Sequence, residues 1–130
     1  MSDVVLDASA VLAVLFNEAG ADIVAPVLYQ ATISAVNYSE VLKKTLDKGG
    51  DLQIVQSLLA RQALKIVPFD VEHATTAAAM LPKTASLGLS FADRACLALG
   101  IQSRFEVFTT DKKMSEADLG VRIRLIRRHA

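Results

Sequence analysis

The chain has no Trp, only two Tyr and a single Cys among its 130 residues. A lone cysteine cannot form a disulfide within the chain, so the fold has to be stabilised by burial of apolar side chains. Cys96 lies in the apolar run Ala95-Cys96-Leu97-Ala98-Leu99, which predicts a buried helical residue rather than a nucleophile. The shortage of Trp and Tyr argues against a base-stacking platform like that of many single-strand binders.

Long apolar runs are also missing. The longest uninterrupted one, residues 10–16, is far shorter than the roughly 20 residues that a membrane-spanning helix needs. The amino terminus carries Asp3 and Asp7 with no preceding Lys or Arg, unlike a secretory leader. We therefore expect a cytoplasmic protein without a membrane partner.

Basic residues are absent from the first third of the chain and crowd its end. The formal net charge is zero, no Lys or Arg precedes Lys43, and Arg122, Arg124, Arg127 and Arg128 lie in the last ten residues. This excludes a globally basic nucleic-acid binder but leaves room for a local basic patch. A solvated edge strand is the alternative, because the arginines at 122 and 124 alternate with apolar residues.

The length predicts one domain over residues 1–130, large enough to bury roughly two thirds of its unfolded surface without a disulfide or a structural metal. Apolar residues make up 52% of the chain, which is high for a small domain. We expect part of this surface to pack against a second copy of the chain, as a homodimer.

Strand and helix patterns alternate along the whole sequence. Strands are predicted over residues 3–6, 31–34, 65–69, 106–109 and 121–127, and helices over 10–16, 21–29, 35–48, 51–63, 70–80 and 90–102, with a helical turn after Asp111 and a loop around Pro82 and Gly88. Such alternation predicts an α/β fold with a parallel sheet.

Four acids, Asp7, Glu40, Asp93 and Asp111, are the best indication of function. Three of them follow strands or open helices on the carboxyl side of the predicted sheet, where α/β proteins bind ligands, and Glu40 lies two helical turns from that edge. Two carboxylates about 4 Å apart repel by roughly 4 kcal/mol at an effective dielectric of 20, so a cluster needs cations or raised pKa values. The sequence therefore predicts a carboxylate cage for a divalent ion.

Each acid also has a structural explanation. Asp7 and Asp111 could cap the helices that follow them, and Asp93 stands at capping-box spacing from Ser90. Glu40 could form an ion pair with Lys44 one turn further on. Their joint position on one rim is what favours a site.

Oxygen ligands select hard ions, Mg²⁺ or Mn²⁺. Neither His73 nor His129 stands near another His or a Cys at zinc-site spacing, so both are predicted to be non-ligands. Four ionised acids keep about two negative charges with one divalent ion and approach neutrality with two, so an anionic phosphodiester would complete a two-metal site. Basic residues adjacent to the acids could hold flanking phosphates or could simply be solvated: Lys43, Lys44, Arg94, Lys112 and Lys113.

Four segments that contain these acids resemble the motifs of the PIN-domain ribonucleases, and within them the toxins of VapBC toxin–antitoxin systems. The segments are residues 5–10 (VLDASA), 34–41 (SAVNYSEV), 89–98 (LSFADRACLA) and 108–111 (FTTD), and they occur in the family's order. The resemblance covers essentially the whole chain. It implies a three-layer fold, with a central parallel sheet of about five strands flanked by helices.

The resemblance also implies Mg²⁺- or Mn²⁺-dependent cleavage of RNA and inhibition by a cognate antitoxin protein. Asp7 and Asp93 would be the principal metal ligands, Glu40 and Asp111 would complete the cluster, and Ser9, Asn37 and Thr110 would support it. Some relatives carry another acid two residues beyond the last Asp, where this chain has Lys113. Whether the site binds one metal ion or two therefore stays open.

The hypothesis that follows is hydrolysis of an RNA phosphodiester by water that the ion makes acidic and that Asp93 or Glu40 orients, without a covalent protein intermediate. A non-catalytic interaction domain that binds a protein or RNA partner is the main alternative. Phosphotransfer domains fit less well: a haloacid dehalogenase needs an acid where Ser9 stands, and a receiver domain could use Asp70 but lacks the Lys after its last strand.

Overall fold

The computed structural model describes residues 3–127, so the expectations for Arg128 and His129 lie outside the described residues. A five-stranded sheet forms the centre, in the order β3-β2-β1-β4-β5, and every neighbouring pair is parallel. The predicted α/β fold with a central parallel sheet is confirmed.

Strands and helices alternate as the sequence predicts. The strands are β1 (Val4–Leu6), β2 (Ala31–Ser34), β3 (Lys65–Val67), β4 (Glu106–Thr109) and β5 (Ile123–Leu125). The α-helices are α1 (Ala8–Leu15), α2 (Ala21–Val24), α3 (Ala35–Asp47), α4 (Leu52–Arg61), α5 (Val71–Ala79), α6 (Leu81–Thr84), α7 (Phe91–Ser103) and α8 (Lys112–Ser115). No helix within residues 3–127 is long and apolar enough to cross a membrane.

Side-chain caps fix where the helices begin. The helices α1, α3, α4, α5, α7 and α8 each follow a residue whose side-chain oxygen accepts a backbone N–H of the first turn: Asp7, Ser34, Asp51, Asp70, Ser90 and Asp111 respectively. These bonds satisfy amide groups that have no partner inside the helix. Helix α1 therefore begins at Ala8, two residues earlier than predicted, because Asp7 caps it directly.

Two proline-containing segments differ from the prediction. The helix predicted over residues 21–29 ends at Val24 and continues as a 3₁₀ segment, Ala25–Gln30, with Pro26 in its first turn. The predicted loop at Pro82 contains α6 and a 3₁₀ turn, Ala85–Leu87, before Gly88 adopts a left-handed conformation. Proline is compatible with a first helical turn, because its missing N–H would be unpaired there anyway.

The sheet separates two apolar cores. Val4 and Leu6 of β1 face a core built with α1 to α4, whereas Val5 faces the other core, built with α5, α7 and α8. This is the alternation expected of a strand that is covered on both faces. Cys96 is fully buried in the second core, which agrees with the structural role predicted for it.

The strand order places a topological switch between β1 and β4. From β1 the chain adds β2 and then β3 on one side, and later adds β4 and β5 on the other. Leu6 and Phe108 lie side by side in these two central strands. In open parallel sheets, ligands bind beyond the carboxyl ends of the strands at such a switch point. Asp7 and Asp111 follow these strand ends.

Candidate metal and nucleic-acid site

Asp7 lies at the carboxyl end of β1 and is almost completely buried. Its Oδ1 accepts hydrogen bonds from Ser9 Oγ at 2.6 Å and from the amide of Ala10 at 2.9 Å, and its Oδ2 accepts one from Thr109 Oγ1 at 2.5 Å. Burial raises the pKa of Asp7 from 3.8 to about 6, against these hydrogen bonds and with a further contribution from the charge of Asp93. A buried acid with no cation beside it is costly when ionised.

Thr109 is a supporting residue that the sequence reasoning missed. Its buried hydroxyl donates to Asp7 and accepts the amide N–H of Asp111 at 3.0 Å. The amide of Thr110 donates to Ser9 Oγ at 3.0 Å. These bonds join the ends of β1 and β4. The available signal was a polar residue that closes the apolar run of β4, one position before the predicted Thr110.

Asn37 connects Glu40 to the start of α7. Its Nδ2 donates to Glu40 Oε1 at 3.2 Å and to the carbonyl of Ala92 at 3.0 Å, while its buried Oδ1 has no hydrogen-bond partner. Burial is also the main cause that raises the pKa of Glu40, and the charge of Asp93 adds to it. A buried carbonyl oxygen without a donor is a place where a cation or water would be stabilised.

The ion pair considered for Glu40 and Lys44 is not formed. Within residues 3–127 the only ion pair joins Lys43 to Asp47, at 2.7 Å. Lys44 nevertheless lowers the pKa of Glu40 through its charge, although less than burial raises it.

Asp93 and Asp111 both serve as helix-end residues. Asp93 Oδ2 accepts the amide N–H of Ser90 at 2.9 Å, and Ser90 Oγ accepts that of Asp93 at 3.1 Å, which completes a capping box. Asp111 caps α8 by accepting the amide N–H of Lys113 at 3.0 Å. The cap interactions considered for Asp7, Asp93 and Asp111 are therefore all present.

Three of the predicted acids form one electrostatic group. The charge of Asp93 raises the pKa of both Asp7 and Glu40, and all three raise that of Cys96, although burial is the larger cause at each site. The backbone amide of Asp111, rather than its carboxylate, is linked to Asp7 through Thr109. Within residues 3–127, however, no three Asp, Glu, His or Cys side chains are arranged so that they could hold a metal ion together. Asp7, Asp93 and Asp111 accept hydrogen bonds from helix-end amides, Asp7 also accepts from two hydroxyls, and Glu40 accepts from the side-chain amide of Asn37.

A basic pocket adjoins Asp7. It has a volume of about 310 Å³ and is lined by Ser9, Leu12, Ala13, Glu18, Ala19, Lys44, Lys48, Thr110 and Arg127. Lys44, Lys48 and Arg127 outnumber Glu18, so the wall of this pocket is net positive. The pocket reaches Ser9, whose hydroxyl contacts Asp7. A larger cavity of about 580 Å³ lies elsewhere, lined by Asp3 and Arg104 among others but by none of the four acids.

Arg94 does not extend this basic wall. Its Nη1 donates to the carbonyl of Ala77 at 3.2 Å, and its guanidinium lies 6.0 Å from the ring centre of Phe91. Arg94 therefore joins α7 to α5. Lys43 is occupied by Asp47, whereas Lys112 and Lys113 are exposed in α8.

Several solved structures share this architecture. A toxin–antitoxin complex from Klebsiella pneumoniae aligns with a TM-score of 0.74 and 18% identity, over 91% of this chain and 94% of that one. DNA-bound VapBC from Salmonella typhimurium gives 0.75 and 17%, over 95% and 98%. FitAcB from Neisseria gonorrhoeae gives 0.70 and 19%, over 92% and 95%. At these identities the likeness establishes the fold.

No curated protein matches the sequence at a significant level. The PIN domain model matches residues 4–119, which include all four predicted acids and every strand except β5. The chain therefore belongs to the PIN domain family.

Proposed function

We propose that this chain is a Mg²⁺- or Mn²⁺-dependent endoribonuclease, that residues 1–130 form one nuclease domain, and that it acts as the toxin of a type II toxin–antitoxin system. The observation that carries the proposal is the electrostatic group of Asp7, Glu40 and Asp93 at the switch point of a PIN fold. Burial opposes ionisation of Asp7 and Glu40, so a cation between the acids would stabilise the folded protein.

By the chemistry of their donor atoms, the residues suit a hard divalent ion. Asp7, Asp93, Glu40 and Asp111 offer carboxylate oxygens, and Asn37 adds a carbonyl oxygen that has no other partner. When bound, such an ion acidifies water and offsets the charge of a phosphodiester. Ion binding would compete with the helix-end hydrogen bonds of Asp93 and Asp111, which accounts for the absence of a ready-made ligand cluster in the described part of the chain.

The remaining roles belong to side chains already in place. Ser9 and Thr109 orient Asp7, and Asn37 orients Glu40. Glu40, which Asn37 holds in place, is the carboxylate that we assign to accepting a proton from the attacking water.

The basic pocket would bind the RNA backbone beside the cleaved bond. Lys44, Lys48 and Arg127 line it, and Ser9 connects it to Asp7. Lysine and arginine contacts to phosphates position a nucleic acid without reading its sequence. RNA shape would then contribute to target choice.

The toxin assignment is supported by the fold of structures described as toxin–antitoxin and VapBC complexes. The helices α3 and α4 contact each other and carry exposed apolar side chains. These side chains offer a surface for an antitoxin or a second copy of the chain: Leu46, Ile54 and Leu58. We propose that an antitoxin segment also packs over the acids at the carboxyl edge of the sheet, with an Arg directed at the carboxylates. The cytoplasm, where both RNA and antitoxin are made, is the proposed location.

A non-catalytic binding domain is the second candidate, and one observation favours it. Asp7, Asp93 and Asp111 all have helix-cap roles that would exist without any metal. The two candidates differ in whether the carboxylate of Asp93 is needed for chemistry.

The deciding experiment measures cleavage of a structured RNA pool by wild type and by Asp93→Asn, each with Mn²⁺ and with a chelator. We expect cleavage only by wild type with Mn²⁺, and at least a hundredfold loss for the variant, of the size typical for removing a group that stabilises transition-state charge. Asp51→Asn, which changes an exposed cap on α4, is the matched control and should cleave normally. Absence of cleavage by a folded wild type that binds RNA or a protein would favour the binding domain, and equal cleavage with chelator would reject the metal.

A further inference from the structure

Phe91 presents a large aromatic side chain to solvent beside the acids. It is the first residue of α7, two positions before Asp93, and 51% of its surface is exposed. A ring in this position gains little from burial in the folded chain. A single exposed apolar residue is ordinary on a protein surface, so it is the position of this ring beside the acids that makes it a candidate ligand contact.

The ring is nevertheless held in place. It packs edge-to-face against Phe69, with 5.4 Å between the ring centres and an angle of 74° between the planes. The guanidinium of Arg94 lies 6.0 Å from its centre, and Arg94 is itself bound to the carbonyl of Ala77. The next residue, Ala92, accepts a hydrogen bond from Asn37. Because the ring of Phe91 is already held, stacking of an aromatic ligand on it would cost little further side-chain freedom.

The position of Phe69 places this aromatic pair at the acidic edge. Phe69 follows β3, which lies next to β2, and β2 leads into α3 with Glu40. The basic pocket is lined mainly from α1 and the end of α3, on the opposite face of the sheet from Phe69, which packs against the core built with α5 and α7. The acids at the carboxyl edge therefore have the aromatic pair on one face of the sheet and the cations on the other.

We propose that Phe91, as a single ring rather than a platform of several aromatic residues, stacks against an unpaired nucleobase of the RNA and so positions the adjacent phosphate over the acids. This inference rests on the proposed nuclease function and names a positioning residue for it. The ring selects unpaired RNA, because only an unstacked base can pack on it. It tolerates different bases, because every base has an aromatic face.

The test compares Phe91→Ala, Phe91→Leu and Phe91→Trp for cleavage of a short single-stranded RNA with Mn²⁺. We expect KM to rise roughly 5- to 100-fold for the Ala and Leu variants, the range that loss of one base–aromatic stack gives, with kcat reduced far less. Phe91→Trp should keep KM near the wild-type value. Leu retains apolar bulk but has no aromatic face, so it separates stacking from simple hydrophobic contact.

Tyr29→Ala is the matched control. Tyr29 is also an exposed aromatic residue, but it precedes β2. It lines a cavity with Asp3 and Lys65, and none of the four predicted site acids lines that cavity. Its removal should leave KM unchanged. A second readout uses an RNA that carries the fluorescent base 2-aminopurine, whose emission should be quenched on binding to the cleavage-impaired Asp7→Asn chain and not when Phe91→Ala is added.

The outcomes separate this inference from the nuclease proposal. Metal-dependent cleavage with the same KM in all Phe91 variants would overturn the stacking role and leave the nuclease intact. Absence of both cleavage and RNA binding by wild type would overturn both. A change of oligomeric state in Phe91→Ala, with unchanged RNA binding, would assign the ring to a protein contact instead.

Discussion

At the scale of single residues, the main finding is that one side chain can satisfy two requirements. A helix cap and a metal ligand both need an oxygen acceptor just after a strand, and Asp7 meets both descriptions. Its sequence context therefore could not separate the two roles. What distinguishes Asp7 from an ordinary cap is its burial, which raises its pKa to about 6.

This pKa predicts how stability depends on pH without metal. The pKa of Asp7 is raised from 3.8 in the unfolded chain to about 6 in the fold, so the fold binds the proton more tightly. The free energy of unfolding should therefore fall as pH rises from about 4 to about 6, by up to about 3 kcal/mol, and then stay level. Asp7→Asn should remove the part of this fall that Asp7 causes, and it should abolish cleavage. Urea titrations with chelator at pH 4.5 and 7.5 measure it.

Two comparisons complete this experiment. Glu40 also has a pKa raised by burial, so Asp7→Asn should retain a smaller fall of the same sign. Added Mg²⁺ should stabilise wild type at pH 7.5 much more than the variant, because binding to the folded state alone raises stability. If Asp7→Asn follows the wild-type pH curve, the carboxylate of Asp7 is not an unpaired buried acid. If Asp7→Asn fails to fold, the essential role of Asp7 is to cap α1.

At the scale of helices and strands, local chemistry predicted most elements. Cap residues such as Ser34 and Asp70 directly precede segments whose apolar residues recur at helical spacing, so the starts of α3 and α5 were predictable. The strand β4 was predicted with its observed bounds, Glu106–Thr109. Local reasoning failed at two prolines: the helix predicted through Pro26 becomes a 3₁₀ segment there, and the loop predicted at Pro82 contains α6. The strand order and the contact of Thr109 with Asp7 join residues 102 positions apart, so no local pattern contains them.

The close packing of α7 on the sheet gives a prediction for Gly100. A Cβ added at Gly100 would lie 2.5 Å from Val107 Cγ2 and 3.2 Å from Val121 Cγ2. Because both the helix and β4 are buried there, Gly100→Ala should lower the free energy of unfolding by about 1–2 kcal/mol, even though Ala is the better helix former. Chemical denaturation of both proteins measures the change.

A double-mutant cycle identifies the cause. Val107→Ala removes the methyl group that the new Cβ would meet, at the cost of a cavity. Gly100→Ala should be much less destabilising, or stabilising, in that background, and the coupling should be at least 0.5 kcal/mol. Equal effects of Gly100→Ala in both backgrounds would show that the close contact between α7 and β4 is not the reason why position 100 requires glycine.

At the scale of the whole molecule, the fold redistributes charge that the sequence separates. The first 42 residues contain no Lys or Arg, yet α1 forms one wall of the basic pocket, whose cations come from α3 and from the segment after β5. The acids come from both halves of the chain as well. A chain with no net charge therefore presents a group of acids with a basic pocket beside it, an arrangement that suits a metal ion and a polyanion together.

This arrangement predicts the salt dependence of RNA binding. Each phosphate contact to single-stranded RNA contributes about 0.7 to the slope of log K against log salt concentration. Lys44→Ala/Lys48→Ala should therefore weaken binding and reduce the slope by about 1.4. Lys65→Ala/Lys83→Ala, which removes two cations outside the pocket, is the control with the same net charge and should keep the wild-type slope. Equal slopes for the two variants would mean that net charge, rather than the pocket, attracts the RNA.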